Sequence, residues 1–226
     1  MNVVFRTDSS AKIGSGHVMR CLTLASALKQ SEVNVLFICR DHTGNLSELI
    51  KKQGFDVGML PAASEGTQDQ DFLDSSTWLG AQWNEDAQQT LAAITSFGIK
   101  PDMIVVDHYS IDHHWESKMR ASAGRLMVID DLADRVHDCD LLLDQNLIAK
   151  MNTRYKGLVS KGCEMLLGPE YCLLQPIYSE LQKGLSSRKG PIKRILVFFG
   201  ELGEKNLTGL TLSALDHFNR PDIHID

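Results

Sequence analysis

The chain has 226 residues, 43% hydrophobic and 23% charged, a balance typical of globular proteins. Its 23 Lys and Arg against 29 Asp and Glu leave a net charge of −6 with no basic block, which argues against nucleic acid or a membrane surface as partner. The opening MNVVFRTDSS lacks the pattern of a signal peptide, and every apolar run falls far short of the ~20 residues of a membrane span.

Taken in chain order, short apolar runs alternate with amphipathic stretches. Residues 3–5 predict a strand, and 18–29 a helix with Leu22, Ala25 and Leu28 on one face. Further strands are expected at 33–39 and 55–60, with a helix at 46–53 between them. Residues 62–82 predict a loop with some helical turn, and Trp78 within it and Trp83 just after it read as packing anchors. A helix follows at 84–97 with Asn84 as N-cap, then a strand at 103–106, a helix at 112–122, and strands at 126–129 and 141–143. Such alternation predicts an α/β fold with a parallel, Rossmann-type sheet. Residues 173–185 predict a helix that closes a first domain, 1–185. SSRKGPIKR (186–194) is a linker by composition, and a strand at 195–199, a helix at 207–218 and a strand at 222–226 open a second domain that the chain does not complete. Cys21, Cys39, Cys139, Cys163 and Cys172 are odd in number without CxxC pairing, which predicts reduced thiols in a cytoplasmic protein.

In an open parallel sheet, ligands sit beyond the carboxyl ends of the strands. Those ends deliver Arg6-Thr7-Asp8, Asp107-His108-Tyr109, Asp130-Asp131 and Asp144-Gln145-Asn146 to one rim. The Gly14-Ser15-Gly16-His17 turn joins them. Its glycines permit a tight turn and close approach, and the following helix start favours an anion while disfavouring imidazolium. His17 is thus either a neutral base or a helix cap. Asp at a strand end also caps helices and orders turns, so the carboxylates admit a structural reading as well. His113-His114 lack the i, i+4 spacing of a metal pair, and no metal or cofactor is expected.

Four segments in order, FRTDSSAKIGSGHVMRCLTLA (5–25), VVDHYSID (105–112), VIDDLADRVHDCDLLLDQN (128–146) and LLGPEYCLLQP (166–176), resemble the UDP-2,4-diacetamido-2,4,6-trideoxy-β-L-altropyranose hydrolases of pseudaminic acid biosynthesis. The resemblance implies a glycosyltransferase-B-like architecture of two Rossmann-type domains. It implies a metal-independent hydrolase of polysaccharide biosynthesis that splits a UDP-linked sugar with inversion at the anomeric carbon. It makes His17 the general base and places Tyr109 beside the substrate, with UDP held mainly by the second domain. On the chemistry, Asp8 or Asp107 orients His17, Tyr109 positions the sugar by hydroxyl or ring, and Asn146 meets an acetamido group. Arg6 and Arg20 meet diphosphate, unless Arg20 is a helix-face ion-pair partner. Gly14, Gly16, Gly200 and Asn206 complete the expected substrate-binding set.

Two departures stand out. FGELGEKNLT (199–208) places Glu201 where relatives carry a glycine, and the downstream uridine-binding elements have no counterpart. The partner expected is a small-molecule UDP-sugar. The alternatives are a glycosyltransferase of the same architecture, in which an acceptor hydroxyl replaces water, and a non-catalytic sugar-nucleotide-binding protein.

Overall fold

The computed structural model describes residues 1–62, 77–187, 189–199, 206–218 and 220–226. By its contacts the chain divides into Met1–Leu174 and Gln175–Asp226. The first unit runs β1 (Asn2–Thr7), α1 (Gly16–Gln30), β2 (Asn34–Arg40), α2 (Ser47–Lys52), β3 (Asp56–Leu60), α3 (Trp83–Ser96), β4 (Met103–Asp107), α4 (His113–Met119), β5 (Arg125–Ile129), β6 (Leu141–Asp144) and β7 (Glu164–Leu167).

The seven strands form one sheet in the order β3-β2-β1-β4-β5-β6-β7, every pairing parallel. Strand side chains alternate between faces, and this alternation builds two cores. Val4, Leu36, Ile38, Ile104, Val106, Leu126, Val128 and Leu142 pack with Ala87 and Ile94 of α3 and Trp115 and Met119 of α4. Val3, Phe5, Phe37, Cys39, Val105, Met127 and Ile129 pack on the other face with Val18, Cys21, Leu22 and Ala25 of α1 and Ile50 of α2. Central strands buried on both faces are the near-continuous apolar runs that the sequence displays.

Strand order reverses direction of growth between β1 and β4, whose neighbours lie on opposite sides. Such a switch point opens a crevice at the carboxyl ends of the two strands. Thr7 and Asp107 are partners in register there, so the segments after β1 and β4 meet.

Several elements differ from expectation. Gln82, not Asn84, caps α3, in extended conformation and without a side-chain bond. The helix expected at 112–122 ends at Met119 and tightens into a 3-10 turn over Arg120–Ser122. β7 went unrecognised because it is a four-residue edge strand whose partly exposed pattern carries no period-two signal.

The second unit holds α5 (Pro176–Lys183), β8 (Arg194–Ile195), α6 (Leu207–Asp216) and β9 (His224–Ile225), with β8 and β9 parallel. The strand expected over 195–199 is registered with β9 at Arg194–Ile195, the Val197 N–H adds a bond to the Asp226 carbonyl at 2.9 Å, and Leu196 and Phe198 are 77% and 78% exposed. No helix among the described residues is long and apolar enough to cross a membrane.

Candidate active site

Between β1 and α1 the chain makes a tight loop closed by Gly14 N–H donating to the Ser10 carbonyl at 2.8 Å. Ser10 Oγ accepts from the N–H groups of Lys12 and Ile13. Gly14 takes φ of 81°, a left-handed conformation that side chains disfavour, so the turn requires glycine here. Gly16 differs: its φ is not left-handed, and a Cβ added there meets nothing within 4 Å. Helix α1 begins at Gly16 with Ser15 as N-cap and no side-chain cap.

His17 therefore does not cap. Its Nδ1 lies 2.6 Å from Asp107 Oδ1, and the residue is only 7% exposed. Asp107 also receives a two-pronged contact from Arg20, Nε to Oδ2 and Nη2 to Oδ1, each at 2.6 Å. Burial opposes a charge on Asp107, yet the His17 and Arg20 contacts outweigh it and hold the carboxyl well below the usual carboxylate range. An ionised Asp107 can only accept, so Nδ1 carries the proton that faces it, and Nε2 is the ring nitrogen left to accept a proton. Of the two strand-end carboxylates considered as partners of His17, Asp107 makes the contact, while Asp8 pairs with Arg6.

Around this pair stands a second ring of contacts. Arg20 Nη1 bonds Asp131 Oδ2 at 2.9 Å, and the Tyr109 hydroxyl donates to Asp131 Oδ1 at 2.6 Å. Tyr109 meets the His17 ring edge to face, centroids 4.5 Å apart, and Trp78 lies 5.8 Å beyond it. Burial and then Asp131 push the Tyr109 phenol up, so its hydroxyl keeps its proton.

Asp8 belongs to a different network. Its Oδ1 accepts from Arg6 Nη1 at 2.7 Å and from the Arg40 N–H at 2.6 Å, while His108 Nε2 lies 3.2 Å from Oδ2. Arg6 and Arg40 both pair with Asp86 of α3, at 2.6 and 2.7 Å, and Trp115 Nε1 donates to the same carboxylate. Arg6, Asp8 and Asp86 are fully buried, so they brace the rim from behind. Burial lowers His108, which stays neutral, and its Nδ1 accepts from the Ser110 N–H.

The remaining expected residues are dispersed. The Asn146 N–H donates to Asp144 Oδ1 in a local turn after β6. Asn206 lies in the second unit, in a left-handed conformation, and caps α6 by accepting from the Gly209 N–H. Gly200 and Glu201 lie outside the described residues. Asp131, Asp86 and His108 were missed as partners, although Asp131 and His108 stand in the strand-end segments that the sequence singled out. Although His113 and His114 lack the i, i+4 spacing of a metal pair, their ring centroids are 3.9 Å apart, and His114 turns back onto Asp112, the cap of α4. Asp112, His113 and His114 bring ligand-type atoms within 4.8 Å of one another. All five cysteines are free, and Cys139 and Cys163 lie with their sulfurs 3.6 Å apart.

With this geometry in place, comparison with known proteins becomes informative. The chain is 27% identical over 184 residues to the UDP-2,4-diacetamido-2,4,6-trideoxy-beta-L-altropyranose hydrolase of Campylobacter jejuni, covering 81% of this chain and 56% of that protein. The chain is similar to that hydrolase. It is also 22% identical to the uncharacterized protein MJ1062 of Methanocaldococcus jannaschii over 218 residues, 95% of this chain and 40% of that protein. Among solved structures, Acinetobacter baumannii MurG superposes with a TM-score of 0.54 at 12% identity, over all of this chain and 66% of MurG. The fold is thus the glycosyltransferase-B-like α/β arrangement. No family model matches the chain. It spans about half the length of the curated relatives it matches.

Proposed function

We propose that this chain carries the base-bearing half of an enzyme that hydrolyses a UDP-linked 2,4-diacetamido-2,4,6-trideoxy hexose to the free sugar and UDP. The observation that carries this reading is the His17–Asp107 pair, locked by Arg20 at the switch point of the sheet. The similarity to the Campylobacter jejuni hydrolase supplies the substrate class.

In the proposed reaction a water molecule sits between His17 Nε2 and the anomeric carbon. Nε2 takes its proton as the oxygen forms a bond to that carbon, and the bond to the UDP oxygen breaks with its electron pair leaving on UDP. Attack opposite the leaving group inverts the anomeric configuration. Asp107 keeps Nδ1 protonated and stabilises the imidazolium as it forms, as the carboxylate does beside a catalytic histidine elsewhere. UDP is a stable anionic leaving group, so one base suffices. Tyr109 sets the plane of the His17 ring and flanks the sugar. Gly14 and Gly16 shape the approach, and Asn146 is assigned to an acetamido group. In the second unit, Gly200 and Asn206 are assigned to the UDP side. Arg6, Asp8 and Arg20 act on the substrate through the residues they hold.

The test incubates the chain, and a version lengthened at its C-terminus, with the UDP-trideoxy sugar, following UDP release and the sugar anomer by NMR. Release of inverted sugar in water is the expected result. Release only with an added hydroxyl acceptor would make the protein a transferase, and no turnover by the lengthened version would leave a binding protein.

A further inference from the structure

Cys139 and Cys163 stand with their sulfurs 3.6 Å apart, although 24 residues separate them in the chain. Cys139 comes just before β6, and Cys163 just before β7, the edge strand of the sheet. Next to both, the Glu164 N–H donates to the Asp140 carbonyl at 2.9 Å. Each cysteine is thus one residue from a hydrogen bond that opens the β6–β7 ladder, and the paired backbones hold the two sulfurs together. A disulfide is about 2.05 Å long, so about 1.6 Å of approach would join them.

The two thiols differ as a sequential oxidation requires. Cys163 is partly exposed, whereas Cys139 is fully buried. The facing Cys139 thiol holds the Cys163 thiol below the usual range against the effect of burial, and the Arg120 guanidinium adds to this. The contact with Cys163, and then burial, push the Cys139 thiol up. The more accessible sulfur is therefore the more readily ionised, and the buried one lies behind it in reserve. Cys21 and Cys39 are buried with their thiols pushed up by that burial, so neither offers a thiolate to solvent.

We propose that Cys163 and Cys139 form an oxidation site for hydroperoxides, closing to a disulfide that fastens the edge strand β7 to β6. The Cys163 thiolate attacks one peroxide oxygen, the O–O bond breaks, and the other oxygen leaves with the electron pair and takes up a proton. Cys163 is then a sulfenic acid. The Cys139 sulfur displaces its hydroxyl, which departs with the Cys139 thiol proton as water. Overall, two thiols and one hydroperoxide give one disulfide, one alcohol and one water, or two waters from hydrogen peroxide. The closed ring carries Arg154 and Tyr155, which hold the Asp131 carbonyl and the Asp130 carboxylate. Its sulfurs lie at the amino ends of the strands and His17 at the carboxyl ends, so the site stands whether or not a UDP-sugar is hydrolysed.

Treated with stoichiometric hydrogen peroxide, the chain should fall from five titratable thiols to three and lose two hydrogens in mass. Digestion by trypsin and a glutamyl endopeptidase without reductant should give the Cys139 fragment joined to the Cys163 fragment, and dithiothreitol should part them. Cys139→Ala should leave a sulfenic acid at Cys163 that dimedone traps, and Cys163→Ala should leave the Cys139 thiol unoxidised. Hydrogen exchange at Glu164–Leu167 should slow several-fold on oxidation, because a cross-link restricts local opening. Five surviving thiols, a bridge to Cys172 or between chains, or sulfinic acid in place of the bridge overturns the site. Exchange unchanged by oxidation overturns the fastening of β7.

Discussion

Asp107 takes contacts from His17, both arms of the Arg20 fork and, at 3.4 Å, the Cys21 thiol, all while fully buried. A carboxylate so held fixes the tautomer of the imidazole and faces the charge that forms on it when it takes a proton. His17→Ala should lower turnover by about 10²–10⁴-fold, the usual worth of a general base, with an unchanged circular dichroism spectrum. A wild-type rate would remove His17 from the chemistry. Asp107→Asn presents an amide N–H where two donors now point. It should cost about 3–5 kcal/mol of stability by leaving Arg20 half-paired, measured by urea unfolding, and should also depress turnover. Residue types at this rim were legible in sequence, but the identity of the orienting carboxylate was not, because Asp8 and Asp107 both end strands.

The elements contribute what no single residue can. The β1–α1 turn needs Gly14 at φ of 81°, so Gly14→Ala should destabilise by about 1 kcal/mol through left-handed strain. A lowered melting temperature would register this, and an unchanged one would show that the turn relaxes. Asp86 of α3 joins the ends of β1 and β2 through Arg6 and Arg40. Among the described residues, Asp86→Ala takes the only paired carboxylate from the buried Arg40 guanidinium and leaves Arg6 with Asp8 alone, and should cost ~3–5 kcal/mol, with loss of soluble protein as the extreme outcome. Wild-type stability would mean that water replaces the carboxylate. The helix itself was visible from its apolar spacing. Its ionic role was not, since the partners are separated by 80 and 46 residues.

At the scale of the whole molecule, three buried carboxylates, Asp8, Asp86 and Asp107, are held below their ordinary range despite burial. Their folded values lie below the unfolded value of about 3.9. Their stabilisation is therefore complete above about pH 5 and fades as pH falls through the unfolded value towards the folded ones. The urea midpoint should be level from pH 7 to 5 and fall steeply below pH 4. A midpoint that rises on acidification would contradict the ion-pair assignments. Because Met1–Leu174 holds both hydrophobic cores, a chain ending at Leu174 should unfold in one cooperative transition. A broad, non-cooperative melt would show that the first unit does not hold its fold alone.

Local pattern in the sequence determined the alternating strands and helices, the parallel sheet and the Gly-rich turn ending in histidine, because period, turn chemistry and composition act over a few residues. It left His17 between cap and base. The tertiary structure decided that His17 does not cap its helix, since strand order sets β4 beside β1 and brings Asp107 to within 2.6 Å of a histidine 90 residues away. It also separated Asp8 and Arg6, which brace the rim, from Asp107 and Arg20, which hold the imidazole. Strand neighbours are chosen by the packing of whole elements, and no short stretch of sequence encodes them.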